Sequence, residues 1–201
     1  MINLQKSKIV ILSFGLVGVL AVSIAYLATG AFTSAQPSNP PAPKYVKEID
    51  GYRNWTKVNS TPQLMPGRVA AACAIWRSST GVVIDGSDNP HRNKYFTVYV
   101  NDIGREAMLK HKNPNFPEGS VIVKEKLSAQ DSQAPELLTV MIKQKKGFNP
   151  ANGDWEYMVV DGKGETVQGR GNLENCQRCH IDKQKTDYIF RTYLPVDAKL
   201  D

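Results

Sequence analysis

Between Tyr95 and Asp161 four short segments read as β-strands: Tyr95–Val100 (YFTVYV), Ser120–Leu127 (SVIVKEKL), Leu138–Gln144 (LTVMIKQ) and Trp155–Asp161 (WEYMVVD). Each is rich in β-branched and aromatic residues, which suit a pleated, packed surface. Turn chemistry closes them: Pro117-Glu-Gly119 before the second, Asn149-Pro-Ala-Asn-Gly153 between the third and fourth, and Asp161-Gly-Lys-Gly164 after the fourth. Connections this short imply antiparallel pairing. Glu48–Val58 and Asn101–His111 have helical patterning. In the second, Asn101 or Asp102 caps the start, and Ile103, Ala107 and Met108 share a face. Residues 69–76 (VAAACAIW) fit a helix or a buried strand equally well. The fold class is α+β, a predominantly antiparallel sheet with a few helices.

Composition sets limits on the rest. The 201 residues are 41% hydrophobic and 22% charged, which excludes wholesale disorder. The net charge of +6 is spread along the chain, so nucleic acid is not the expected partner. Two lysines, Lys6 and Lys8, precede a run without charge from Ile9 to Ala28 (IVILSFGLVGVLAVSIAYLA). A basic start followed by an apolar stretch of bilayer length reads as an export signal or membrane anchor over residues 1–31. The Pro-rich residues 32–44 read as an extended linker. A single domain over 45–201 is then expected in the periplasm, after cleavage or tethered through residues 9–28.

The chain has three cysteines, too few for a disulfide scaffold. Two of them stand in Cys176-Gln-Arg-Cys179-His180, the Cys-x-x-Cys-His signature of covalent c-type haem attachment. Thiols three residues apart can each add to one vinyl group, and the adjacent imidazole then meets the iron. One covalent haem c is therefore expected, held by Cys176 and Cys179 with His180 as the metal ligand. A redox dithiol would sit more naturally in a βαβ unit, which is not visible. A zinc site would need a further ligand such as His91 or His111. A coincidental structural pair is the bland alternative. Cys73, in an Ala-rich apolar stretch, reads as a small buried hydrophobe.

The haem motif falls late, and residues 181–201 contain no Met or His. The upstream Met65, Met108, Met141 and Met158 fall in segments that read as core, which leaves the second axial position open to a small ligand. One strand spends a charge: alternation puts Ile122, Lys124 and Lys126 on one face and Val121, Val123 and Glu125 on the other. On periodicity alone Lys124 reads as a snorkelling or edge-strand lysine.

The strings Phe116-Pro-Glu-Gly-Ser-Val-Ile-Val-Lys-Glu125, Asp154-Trp-Glu-Tyr157, Cys176-Gln-Arg-Cys-His180 and Lys185-Thr-Asp-Tyr188, with the earlier Tyr52-Arg-Asn-Trp55, together resemble the cytochrome P-460 family, whose relatives include the β-type cytochromes c′. The resemblance implies a dimeric antiparallel sheet holding a five-coordinate haem, with His180 as proximal ligand. It also implies that Lys124 matches a lysine bonded in some members to a haem meso carbon. Those members oxidise hydroxylamine and pass the electrons to a redox partner, assisted in some by a carboxylate, for which Glu174 is the candidate position. Phe96 falls where an arginine of the hydroxylamine-oxidising members aligns. An aromatic there resembles the β-type cytochromes c′, which bind nitric oxide. The expectations are hydroxylamine oxidation, nitric oxide binding, or simple electron transfer with an upstream Met on the iron.

Overall fold

A computed structural model describes residues 45–67, 69–70, 92–195 and 198–201, all within the unit that runs from 41 to 201. The expected signal or anchor (1–31), the linker (32–44), Cys73 and His91 lie outside the described residues, as does most of 69–76, of which Val69 and Ala70 are helical. Among the described residues no helix is long and apolar enough to cross a membrane.

Seven strands form one antiparallel sheet: β1 (Thr56–Lys57), β2 (Gln63–Leu64), β3 (Tyr95–Val100), β4 (Val121–Leu127), β5 (Leu137–Lys143), β6 (Trp155–Asp161) and β7 (Val167–Gly171). The order is β1-β3-β4-β5-β6-β7, with β2 also paired to β3. The four long strands expected from sequence form its centre, within a residue of the expected ends. β4 pairs with β3 and β5 on its two sides, Lys124 standing opposite Val98 and Thr139. It is not an edge strand, so the edge reading of Lys124 falls.

Both faces of this sheet are buried. One carries Phe96, Val98, Val100, Ile122, Met141, Trp155 and Tyr157, packed with Met108, Phe116, Ile189 and Tyr193. The other carries Tyr99, Val121, Val123, Leu138, Val140, Ile142, Met158 and Val160, covered by Ile49 and Tyr52. A strand buried on both sides cannot show clean polar alternation, which explains the mixed pattern of β4.

Helix α1 (Asp102–Leu109) is capped by Asn101, whose side-chain oxygen accepts from the Gly104 amide at 3.1 Å. Its buried residues are Gly104, Ala107 and Met108, while Ile103 is 52% exposed, contrary to expectation. Gly104 explains the difference. A Cβ there would lie 2.9 Å from a Val100 methyl group, so glycine lets the helix lie close against the sheet.

Residues 48–58 do not form the expected helix. Two 3-10 turns, Lys47–Ile49 and Tyr52–Asn54, flank Gly51, whose φ of +68° ends helical continuation, and Thr56–Lys57 then pairs with β3. These turns bring Tyr52 and Arg53 to the buried Glu125 of β4. The Tyr52 hydroxyl donates to its carboxylate at 2.7 Å and Arg53 Nε at 2.9 Å. Burial, then the hydrogen bond to Glu125, holds the Tyr52 phenol protonated well above its ordinary range.

Glu125→Ala removes the acceptor of the buried Tyr52 hydroxyl, whereas the half-exposed Arg53 can turn to water. The expected loss of stability is about 1–3 kcal/mol, seen as a lower midpoint in thermal unfolding. Glu125→Gln keeps an acceptor and should lose less.

Candidate functional site

The haem motif lies on one helix, α2 (Glu174–His180). β7 runs straight into it. Gly171, at φ +110°, makes the corner, and the Cys176 and Gln177 amides donate to the Leu173 carbonyl, each at 3.0 Å. Glu174 and Arg178, four residues apart, pair across one turn at 2.7 Å, and each also suits its end of the helix dipole. Spacing of three and four residues puts Cys176, Cys179 and His180 on one side of the helix. All three line the same cavity.

The cavity is walled on one side by the sheet, through Phe96, Val98, Ile122, Lys124, Met141 and Tyr157. Met65, Pro66, Val69, Ile189, Phe190 and Tyr193 complete it. Phe96 is buried and meets the Tyr193 ring edge to face, with centroids 5.8 Å apart. Lys124 is the one Lys, Arg, Asp or Glu among the described lining residues. Its charge acts on both Cys176 and His180, lowering the proton affinity of each.

His180 is held on three sides. Its ring centroid lies 5.0 Å from Phe190 and 5.5 Å from Tyr157. Its Nδ1 lies 2.6 Å from the Tyr188 carbonyl oxygen. Because a carbonyl only accepts, Nδ1 carries the proton and Nε2 keeps its lone pair. Burial pushes the imidazole pKa down to about 4, with the Tyr188 bond acting in the opposite direction and Lys124 and Lys183 lowering it further. The ring is therefore neutral at ordinary pH, the form that ligates a metal.

Cys176 and Cys179 are not joined in a disulfide. Burial raises the Cys176 thiol to about 11, against the lowering effect of Lys124. A redox dithiol needs a depressed thiol pKa, so the site does not suit that chemistry. Among the described residues no group of three or more His, Cys, Asp or Glu side chains is arranged to hold a metal ion. His111 pairs instead with Asp201 at 2.9 Å. What the cavity offers is a neutral imidazole, two thiols on the same helical face and a largely apolar wall. The buried Tyr157 hydroxyl has no hydrogen-bond partner among the described residues. This donor set fits a flat apolar macrocycle with a central metal.

Lys124, Phe96, Cys176, Cys179 and His180 are thus brought together. Glu174 is not: its carboxylate is 87% exposed, turned to Arg178 and outside the lining. Of the four upstream methionines, Met65, Met141 and the fully buried Met108 of α1 pack with the cavity-side core, while Met158 belongs to the cluster on the far face. Sequence reading missed Tyr157, Phe190 and the Tyr188 carbonyl as groups that hold His180. Aromatic residues of a strand read as core, and a carbonyl acceptor leaves no trace in side-chain identity.

An antiparallel sheet with a Cys-x-x-Cys-His helix set over its apolar face defines a c-type haem cytochrome. No curated protein matches the chain. The family model for cytochrome P460 matches residues 49–191, and the chain belongs to that family. The match spans every strand and both helices described above.

The buried neutral His180 gives a pH dependence with a definite sign. With Nε2 free of metal, the unfolded chain takes up a proton at the ordinary value of 6.5 and the folded chain at about 4, so the comparison is made on the haem-free chain. Between these values the unfolded state binds more protons, so its stability relative to the fold grows as pH falls. Thermal midpoints should be level above pH 6.5 and begin to drop on acidification before the carboxylate range is reached. A midpoint flat from 6.5 to about 4 would contradict the burial of a neutral ring.

Proposed function

We propose that this chain is an exported mono-haem c-type cytochrome that oxidises hydroxylamine, with Lys124 joined to the haem edge. The observation that carries the reading is the position of Lys124, a cationic side chain in the centre of a sheet, facing the cavity that Cys176, Cys179 and His180 also line. Lys124 is only half-buried at this wall, so its nitrogen can meet the edge of a group held in the cavity, and a bond to the cofactor would use that position. Cys176 and Cys179 would hold the group by thioether bonds, and His180 Nε2 would ligate its iron. When bound, the haem supplies the redox centre that accepts electrons from the substrate and hands them to a partner protein. The chain's own contribution is to orient the imidazole through Tyr188, to exclude water with Phe96, Ile122 and Met141, and to hold the Lys124 nitrogen at the edge of the macrocycle. Export rests on the uncharged run 9–28 and on the compartment in which covalent haem attachment takes place. A homodimer is part of the same family-based reading.

A second reading has its own support. No carboxylate is present among the described lining residues, and Phe96 and Tyr193 crowd the cavity with aromatic surface. That lining suits a small uncharged ligand such as nitric oxide, bound without turnover and with no Lys124–haem bond.

The ferrous absorption spectrum and peptide mass of the mature domain separate the two. A strongly red-shifted Soret band with a peptide joining Lys124 to haem is expected, and Lys124→Ala should abolish both the shift and hydroxylamine-dependent reduction while haem stays attached. An ordinary five-coordinate spectrum with Lys124 unmodified would select nitric oxide binding. A low-spin spectrum altered by Met65→Ala or Met141→Ala would select electron transfer, and absence of covalent haem would overturn all three.

A further inference from the structure

The residues that follow the haem motif carry unusual backbone geometry. Asp187 and Tyr188 are consecutive non-glycine residues with φ of +51° and +64°. Aspartate tolerates that region, because its short side chain bonds locally, but tyrosine does so rarely. Such a conformation is strained and persists only where surrounding contacts fix it.

Those contacts come from three other parts of the chain and converge on Asp187. Lys143, the last residue of β5, donates to both carboxylate oxygens at 2.7 Å. The Phe116 amide donates to Oδ2 at 2.8 Å. The indole Nε1 of Trp155, first residue of β6 and register partner of Lys143, donates to the Asp187 carbonyl at 2.8 Å. Lys143 Nζ also sits 4.9 Å from the centre of the Trp155 ring. The Lys143 and Asp187 side chains are only 11% and 10% exposed, so the pair is shielded from solvent. A pair this buried is poor evidence of added stability, because desolvation offsets the attraction. Its other use is to select one conformation.

What that conformation fixes is the carbonyl of the next residue. The Tyr188 oxygen accepts from His180 Nδ1 at 2.6 Å, and the Tyr188 amide is itself tied to the Lys183 carbonyl at 2.7 Å. We propose that the Lys143–Asp187 pair is a positioning device for His180. It pins a strained two-residue corner so that the Tyr188 carbonyl stays aimed at Nδ1–H, and so sets how strongly Nε2 donates to a metal. A firm acceptor at one ring nitrogen makes the other more basic and fixes the ring's orientation. The inference rests on the reading of His180 as the haem ligand and adds two residues, 37 and 7 positions away in sequence (180 − 143 and 187 − 180), that act on the iron only through it.

The test compares haem-loaded wild type with Asp187→Asn, Lys143→Met and Lys143→Arg. The readouts are the ferrous iron–histidine stretching frequency by resonance Raman and the reduction potential. Asp187→Asn and Lys143→Met should both lower the stretching frequency and raise the potential. A tenfold loss of ferric over ferrous preference corresponds to about 59 mV. Lys143→Arg, which restores a cation to the carboxylate, should stay close to wild type in both. Where Asp187→Asn yields too little holoprotein, Lys143→Met, which keeps the apolar stem over Trp155, carries the comparison. Wild-type frequency and potential in a folded, haem-loaded Lys143→Met would overturn the proposal and leave the haem site intact. A wild-type protein without covalent haem would overturn the site reading and the proposal together.

Discussion

Backbone pairing across β3, β4, β5 and β6 makes a sheet with no solvent-facing side, and the rest of the molecule follows from that. Most side chains on these strands enter one of two interiors. The N-terminal turns close one interior through Ile49 and Tyr52. The C-terminal segment helps to close the other, and there the packing leaves a cavity. Polar residues on the central strands therefore need a partner or a purpose. Glu125 meets Tyr52 and Arg53 under the N-terminal cover, and Lys124, one residue earlier on the same strand, faces the cavity. Two adjacent charges on one strand thus serve opposite faces, one fastening the cover and the other equipping the site.

The central strands were legible because β-branched runs and turn residues mark both their identity and their ends. The edge strand β7 was not. Its sequence, VQGRG, has neither alternation nor bulk, and it is held by pairing with β6 and by Arg170 bonding to Glu156 at 2.7 Å. The expected helix at 48–58 failed at Gly51, where a positive φ outweighed a reasonable helical pattern. At the site, the haem motif gave the thiols and the imidazole directly, because that chemistry constrains spacing within the five residues from Cys176 to His180. Lys124 was visible only as an oddity of patterning, and only the family resemblance suggested a use for it. The carbonyl that orients His180 could not be read at all, since Asp187 and Tyr188 adopt a conformation that sequence ordinarily signals with glycine.

The two halves of the site differ in how they are built. Cys176, Cys179 and His180 ride on a short helix with an exposed outer side, whereas Phe96, Lys124, Met141 and Tyr157 project from a rigid sheet. A helix of seven residues has little stability of its own. Its Glu174–Arg178 pair and dipole complementarity help, but its orientation depends on what grips its far end. The strained corner at Asp187 and Tyr188 is that grip, tied to the ends of β5 and β6, so the geometry of the sheet extends to the imidazole.

The facing of Lys124 and Cys176 across one cavity also bears on chain connectivity. These residues are 52 apart in sequence (176 − 124), one in the middle of the sheet and the other beyond its last strand. A single group bonded to both would close that stretch, with β5, β6 and β7 inside it, into a ring that survives unfolding. By loop-closure entropy, a ring of this size disfavours the denatured chain by about 4 kcal/mol. A cofactor attached in this way would act as a staple as well as a reaction centre, and its loss would loosen three strands that never touch the iron.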